Sequence, residues 1–463
     1  MTVSTMAKVC TMVVGMVGTA ENGYGTERQI TTAPQSHVLA NVNVWSPDGK
    51  WIVYDTRTGD NFDGTSIEQV NVRTGRVQRL YESQNGANCG VATYSPAAPL
   101  VVFIVGPERP TAEWNYAFTR RGGAVVDTRY PGVVRPLDAM NYAPPFTVGA
   151  LRGGSHVHVF SPDGRWVSFT YEDEVLARLD AAAGAEPHEP NQRNVGIAVP
   201  AGPVHVVSSH PRNRDGVWFA VVVTRTVAQP RPGSDEISRA FEEGWVGRDG
   251  YLRTDGTRQR RALAFQGLVT ALDGSRHAEV FVVDLPDDPT KAGVTPLEGT
   301  ASTRPAPPFG VRQRRLTFTD GRRFPGVVDN PRHWLRAAPD GAQIAFLMKD
   351  DTGVVQLWTV SPNGGRPSLV SHSSAGVTSA FTWSPNGRYI AHVMDGSVCV
   401  TEVATGQTNR LTARSVGTSA PQPRACVFSP DGRSIGYTRA IAGPMGVFAQ
   451  VFVVDVPESL RAP

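Results

Sequence analysis

Short apolar runs punctuated by one recurring turn fill the chain. Trp51-Ile52-Val53-Tyr54, Glu279-Val280-Phe281-Val282-Val283, Gln343-Ile344-Ala345-Phe346 and Val451-Phe452-Val453-Val454 are rich in β-branched and aromatic residues. They are too short for helices and read as strands. The turn between such runs reads Trp45-Ser46-Pro47-Asp48-Gly49, Tyr94-Ser95-Pro96 and Phe160-Ser161-Pro162-Asp163-Gly164. It returns as Ala338-Pro339-Asp340-Gly341, Trp383-Ser384-Pro385-Asn386-Gly387 and Phe428-Ser429-Pro430-Asp431-Gly432. A degenerate copy, Ser209-His210-Pro211, precedes Asp215-Gly216. Pro presets the second position of a type I turn, Asp or Asn caps it locally, and Gly accepts the backbone conformation at the turn's end. Each copy therefore joins two strands. Most copies lie roughly 45–50 residues apart, the period of a four-stranded propeller blade. Seven copies predict an all-β fold, a seven-bladed β-propeller.

The blades are expected to start near residues 41, 90, 155, 204, 333, 378 and 424. Blade 4 would take 217–223 as its second strand and resume at 279–283 and 314–318. Blade 7 runs out of chain after three strands. Arg28-Gln29-Ile30-Thr31 resembles the outer-strand endings Arg315-Leu316-Thr317 and Arg410-Leu411-Thr412, so an N-terminal strand is expected to close the ring. Residues 225–278 form the one large insertion within a blade. Ser234 as a cap, Asp235 and Glu236 in a first turn, Gly244 at an end, and Ile237, Ala240 and Phe241 on one face predict a helix over 235–243. It would cover the channel mouth where the inner strands begin. Residues 248–261 read as a polar loop.

Composition adds bounds. Gly at 47 and Pro at 36 of 463 residues suit a turn-rich ring. A net charge of +3 argues against broad nucleic-acid binding, which needs a strong basic field. Cys10, Cys89, Cys399 and Cys426 show neither zinc-ligand nor disulfide spacing. Residues 1–26 are an extension or a weak signal peptide, with Lys8 before an apolar stretch ending Gly18-Thr19-Ala20. The remainder, 27–463, is expected to be the propeller. A cytoplasmic location is the expectation, a periplasmic one the alternative if residues 1–20 are a signal. No other stretch is long and apolar enough to span a membrane.

Inner strands line a propeller's channel, and polar residues collect on them. Blade 1 offers His37, Asn41 and Asn43, and blade 3 offers Arg152 with His156 and His158. Blade 4 offers His205, and blade 5 offers Arg332 and His333. Strand alternation puts His156 and His158 on one side, where with His333 they could converge on a divalent cation such as manganese, zinc or calcium. A water-filled polar channel is the competing reading. In the enzymatic reading Arg152 would hold a substrate carboxylate, His205 would be the base, and His37, Asn41, Asn43 and Arg332 would contact substrate. A zincin motif, a phosphate loop and a dinucleotide fingerprint are all absent from the sequence.

The hairpins, with Tyr54-Asp55-Thr56-Arg57 and Gln356-Leu357-Trp358-Thr359-Val360, resemble TolB-type propellers. The stretches Gly149-Ala150-Leu151-Arg152-Gly153-Gly154-Ser155-His156-Val157-His158-Val159-Phe160, Pro232-Gly233-Ser234-Asp235-Glu236-Ile237, Glu242-Glu243-Gly244-Trp245-Val246-Gly247 and Pro331-Arg332-His333-Trp334 resemble the YidR-like family. A more distant likeness is to oligogalacturonate lyases, propellers that hold manganese through channel histidines and cleave uronides by β-elimination. His156-Val157-His158 is similar to their His-x-His pair. That pattern carries a Gln three residues earlier, where Gly153 stands here. The resemblances imply either metal-dependent, lyase-type processing of an acidic oligosaccharide or a non-catalytic propeller that binds a protein or glycan partner.

Overall fold

In the computed structural model, which describes residues 24–59 and 61–461, seven antiparallel sheets form the seven blades. Blade 1 is Trp51–Asp55, Ser66–Asn71 and Val77–Glu82, with an inner segment tied on by the bridges Val38 to Asp55 and Trp45 to Ile52. Blade 2 is Cys89–Tyr94, Leu100–Val105, Gly122–Asp127 and Val134–Pro136. Blade 3 is Gly153–Phe160, Val167–Asp173, Asn194–Val199 and Phe219–Val222. Blade 4 is Ala240–Trp245, Ala262–Thr270, Arg276–Asp284 and Arg312–Arg315. Blade 5 begins with Arg336–Ala337 and blade 6 with Thr382–Trp383. Blade 7 is Pro421–Phe428, Ser434–Gly443 and Gly446–Asp455, completed by Glu27–Gln29 from the N-terminal side.

The ring closes as the sequence predicts. Glu27, Arg28 and Gln29 pair antiparallel with Val454, Val453 and Phe452. A hydroxyl just after the outer strand repeats around the ring. The Oγ1 of Thr31 accepts from the Val451 N–H (2.8 Å), as Thr224 does from Val195, Thr317 from Val280, Ser371 from Leu357 and Thr412 from Val398. Each hydroxyl pairs an N–H of the third strand that the short outer strand cannot reach. The recurring turns are equally regular. In blade 1 the Ser46 hydroxyl donates to Asp48 (2.6 Å) and accepts from the Trp51 N–H, while Gly49 takes φ 68°. Indole N–H groups staple adjacent inner strands, Trp45 to the Val427 carbonyl, Trp245 to Val159 and Trp383 to Arg336.

Three expectations need correction. Residues 235–243 are not helical; 240–245 are the inner strand of blade 4 itself. Ile237, Ala240 and Phe241 are buried because blades 3 and 5 flank that segment, not because they form a helical stripe. The insertion therefore passes through the ring. Residues 225–239 approach the mouth, and 246–261 emerge on the turn face with a small hairpin, Tyr251–Leu252 against Arg258–Gln259. Second, residues 219–222 form the outer strand of blade 3, not a strand of blade 4. Third, Ser209-His210-Pro211 is no blade hairpin. It lies in an excursion over 200–218, held by the bridges Val204 to Gly216 and Met140 to Arg214. The one α-helix among the described residues is Glu174–Ala181, between the second and third strands of blade 3 and capped by Asp173. The signal-peptide expectation and Cys10 lie outside the described residues, and no described helix is long and apolar enough to cross a membrane.

Candidate functional site

A β-bulge shapes the channel wall. In blade 3 His156 pairs with Thr170, yet Val159 pairs with Ser168, so one extra residue is inserted and Val157 takes φ 55°. Blades 2 and 4 carry the same shift, with Val91 (φ 56°) and Glu242 (φ 54°) at the equivalent place. Asn43 of blade 1 shares that conformation. A β-branched residue rarely adopts it, so Val91 and Val157 hold strain of about 1–3 kcal/mol each in the channel wall.

The bulge breaks the alternation that would put His156 and His158 side by side. His156 lines the channel mouth. His158 turns away between blades 2 and 3, where only glycine at 123 admits it; a Cβ there would lie 2.7 Å from its Nε2. That nitrogen contacts the Ser155 hydroxyl (3.0 Å), which donates to Asp138. Asp138 also accepts from Gly123 and Arg214. His333 is sealed in blade 5, its Nδ1 on the Pro331 carbonyl (3.0 Å) and its Nε2 accepting from the Leu347 N–H (3.1 Å). Burial pushes both His158 and His333 down to about 4. The three histidines do not assemble, and the donor set expected for a cation does not fit one.

The other expected residues scatter too. Arg152 is wholly buried and committed to Asp173 (2.7 Å) and the carbonyls of Thr300 and Thr303, so it braces the fold. His205 is 77% exposed on the 200–218 excursion, paired with Asp215. His37 packs edge-on to Tyr54 and contacts the Ala449 carbonyl, between blades 1 and 7. Asn41 and Arg332 do line the mouth, and Asn43 lines the opposite end of the channel.

His277, Glu279 and Asp320 bring possible ligand atoms within 4.8 Å of one another, a possible acidic metal site. Glu279 already accepts from Thr317, from Thr319 twice and from Arg315 (3.0 Å). Arg315 also reaches Asp320 (3.1 Å), so a guanidinium stands where a cation would neutralise the cluster.

The mouth is a cavity of about 450 Å³ lined by six arginines and four aromatic rings. Arg57 is held by Asp55 (2.7 Å), Arg193 by Glu172 (2.9 Å) and Arg332 by Glu242 (2.8 Å). Among the described residues no carboxylate oxygen lies within hydrogen-bonding reach of Arg121, which is 6% exposed. It donates to the Tyr116 hydroxyl (2.8 Å) and lies 4.9 Å from the Phe118 ring centre, and its Nε has no partner. Arg239 stacks 4.5 Å from Phe241 and likewise forms no ion pair among the described residues. Burial lowers the affinity of Arg121 for its proton. Beside it the Nδ1 of His156 has no partner, and burial, then Arg121, Arg193 and Arg332, hold that ring well below its usual range. Phe62 stacks on Tyr116 at 4.5 Å, and Phe118 stands 56% exposed at the rim. Tyr116, Phe118 and Arg121 escaped the sequence reading. Their signal was Trp114-Asn115-Tyr116-Ala117-Phe118-Thr119-Arg120-Arg121, aromatics alternating toward paired arginines in a long connection.

Residues 88–214, which include this segment and His156, match a family described as a protein of unknown function (DUF3748). The chain is 46% identical over 414 residues to the uncharacterized protein YidR of Escherichia coli (strain K12), covering 89% of this chain and 94% of that protein. The chain belongs to the YidR family. Solved structures add fold-level likeness. An oligogalacturonate lyase from Vibrio parahaemolyticus superposes with a TM-score of 0.53 at 10% identity over 94% of each chain. An oligogalacturonate lyase in complex with manganese gives 0.55 at 11% identity over 96% of each. At such identities the likeness shows the propeller alone.

Proposed function

We propose that the channel mouth binds an acidic oligosaccharide and supports β-elimination at a uronate residue. The observation that carries this is Arg121, a buried guanidinium without a carboxylate at the foot of an aromatic-rimmed cavity. A buried cation is costly unless an anion joins it, and a carboxylate would meet a planar fork there. Phe118 and Tyr116 offer apolar faces to sugar rings. The oligogalacturonate lyase likeness motivates the substrate class.

In this reading Arg121 neutralises the uronate carboxylate, which acidifies the proton on the adjacent carbon. Neutral His156, which lines the mouth, takes that proton, replacing the role expected of His205. The C–H electron pair forms the double bond, and the β C–O bond breaks with its electrons on the departing oxygen, which is then protonated. His156, His158 and His333 do not gather, so no step here is routed through a cation on them. The non-catalytic alternative uses the same cavity for binding alone.

The experiment is a screen of galacturonate, glucuronate and mannuronate oligomers for unsaturated products, with manganese added or chelated. Product from wild type and none from His156→Gln supports the enzymatic reading. Saturable uronide binding without product leaves the binding propeller. Neither binding nor product rejects both.

A further inference from the structure

The channel is two chambers. Val157, Val159 and Trp334, with Val42, Val91 and Trp245 packed on them, form an apolar waist. At that waist the Arg336 guanidinium reaches from blade 5 to the Asn41 side-chain carbonyl of blade 1. Below it a second cavity of about 460 Å³ opens on the turn face. Its rim carries the turn prolines of six blades, among them Pro47 and Pro385, and its walls include Trp45, Trp245 and Trp383.

Arg336 is the unusual group. It is 8% exposed, lines the lower chamber, and among the described residues forms no ion pair; its buried Nε has no partner there. Its other bonds go to Asn41 and the Leu335 carbonyl (3.2 Å). Of the nearest acids, Glu242 is held by Arg332, and Glu243 accepts from Thr170 (2.9 Å) through Oε2 while its Oε1 has no partner, its carboxyl pushed up to about 7 by burial. A desolvated cation thus sits at the closed end of an apolar chamber.

We infer that the turn-face chamber binds a small monocarboxylate with an apolar body, its carboxylate on the Arg336 guanidinium and its body against the tryptophans and prolines. One guanidinium edge offers two donors in a plane, which matches two carboxylate oxygens. The neighbouring hydroxyls are committed: Ser384 and Ser429 to their turns, Thr382 to the Cys426 carbonyl. Phosphate or sulfate would leave oxygens without donors in apolar surroundings. The chamber's size suits a single small ligand.

The test titrates benzoate, 3-phenylpropionate, indole-3-acetate and octanoate into the full chain by calorimetry, alongside their primary amides. At least one acid should bind with one-to-one stoichiometry and raise the melting temperature, and its amide should bind at least about tenfold more weakly. Arg336→Met should abolish that preference while leaving the ligand-free melting temperature unchanged or higher, since it removes a buried unpaired charge. Arg121→Gln should leave the preference intact, which separates this chamber from the mouth. No binding by any of the acids, equal binding of acid and amide, or a preference that survives Arg336→Met overturns the inference. If Arg336→Met does not fold, the acid–amide comparison on the wild type still decides.

Discussion

Thr31→Val tests the closing strand where it is most exposed to failure. The Thr31 hydroxyl is buried at the seam, accepting from the Val451 N–H (2.8 Å) and donating to the Gln450 Oε1 (2.8 Å). Valine keeps the shape and removes both bonds. Gln450 can adjust, because its amide holds the Ala33 carbonyl independently (2.9 Å). The Val451 N–H cannot, because it is fixed between the last two strands of the blade. Leaving it unpaired should cost about 1–3 kcal/mol, read as a lower urea midpoint at unchanged slope. Thr31→Ser keeps the oxygen and should stay within about 0.5 kcal/mol of wild type. Thr412→Val, which removes the equivalent bond within blade 6, should cost a similar amount. If Thr31→Val matches Thr31→Ser, the seam does not depend on the repeated hydroxyl and the argument fails.

Stability should fall as pH drops from about 6.5 toward 4, because His158, His333 and His392 are buried neutral with proton affinities near 4, so the unfolded chain binds more protons in that window; a flat melting temperature between pH 7 and 4.5 would contradict this. Arg152→Gln should lower the melting temperature strongly, by breaking a buried pair worth about 3–5 kcal/mol when one partner is lost, and should not selectively weaken uronide binding; a stable variant with lost binding would return Arg152 to the site. In a Cys10→Ser background, Cys89, Cys399 and Cys426 should ignore a thiol reagent until the protein unfolds, because all three are buried and burial raises their affinity for the proton, that of Cys399 to about 12. Rapid native labelling would show the blades opening locally.

The ring was legible because its turn is chemical. Ser, Pro, Asp and Gly each occupy a position that one hydrogen bond or one φ value demands, as at Ser46 to Gly49. The closing strand was legible through Ile30-Thr31, because the threonine does the same job after every outer strand that carries it. Blade 4 was not, because its turn is replaced by the 246–261 hairpin and its inner strand hides a bulge at Phe241 to Gly244. Without alternation, Ala240 to Trp245 gives no strand signal, and chance spacing imitates a helix. The same bulge in blade 3 misdirected the His156 and His158 reading. Arg121 was passed over because its distinction is the absence of a carboxylate beside it, which only packing decides.

The most direct measurement is calorimetric titration of trigalacturonate into wild type and Arg121→Gln, with neutral galactotriose as control. The account predicts saturable binding of the acidic trimer, none of the neutral one, and a loss of at least about tenfold in affinity for Arg121→Gln in a protein that melts no lower than wild type. Equal affinity in the two proteins, or no binding of the acidic trimer by wild type, would contradict it.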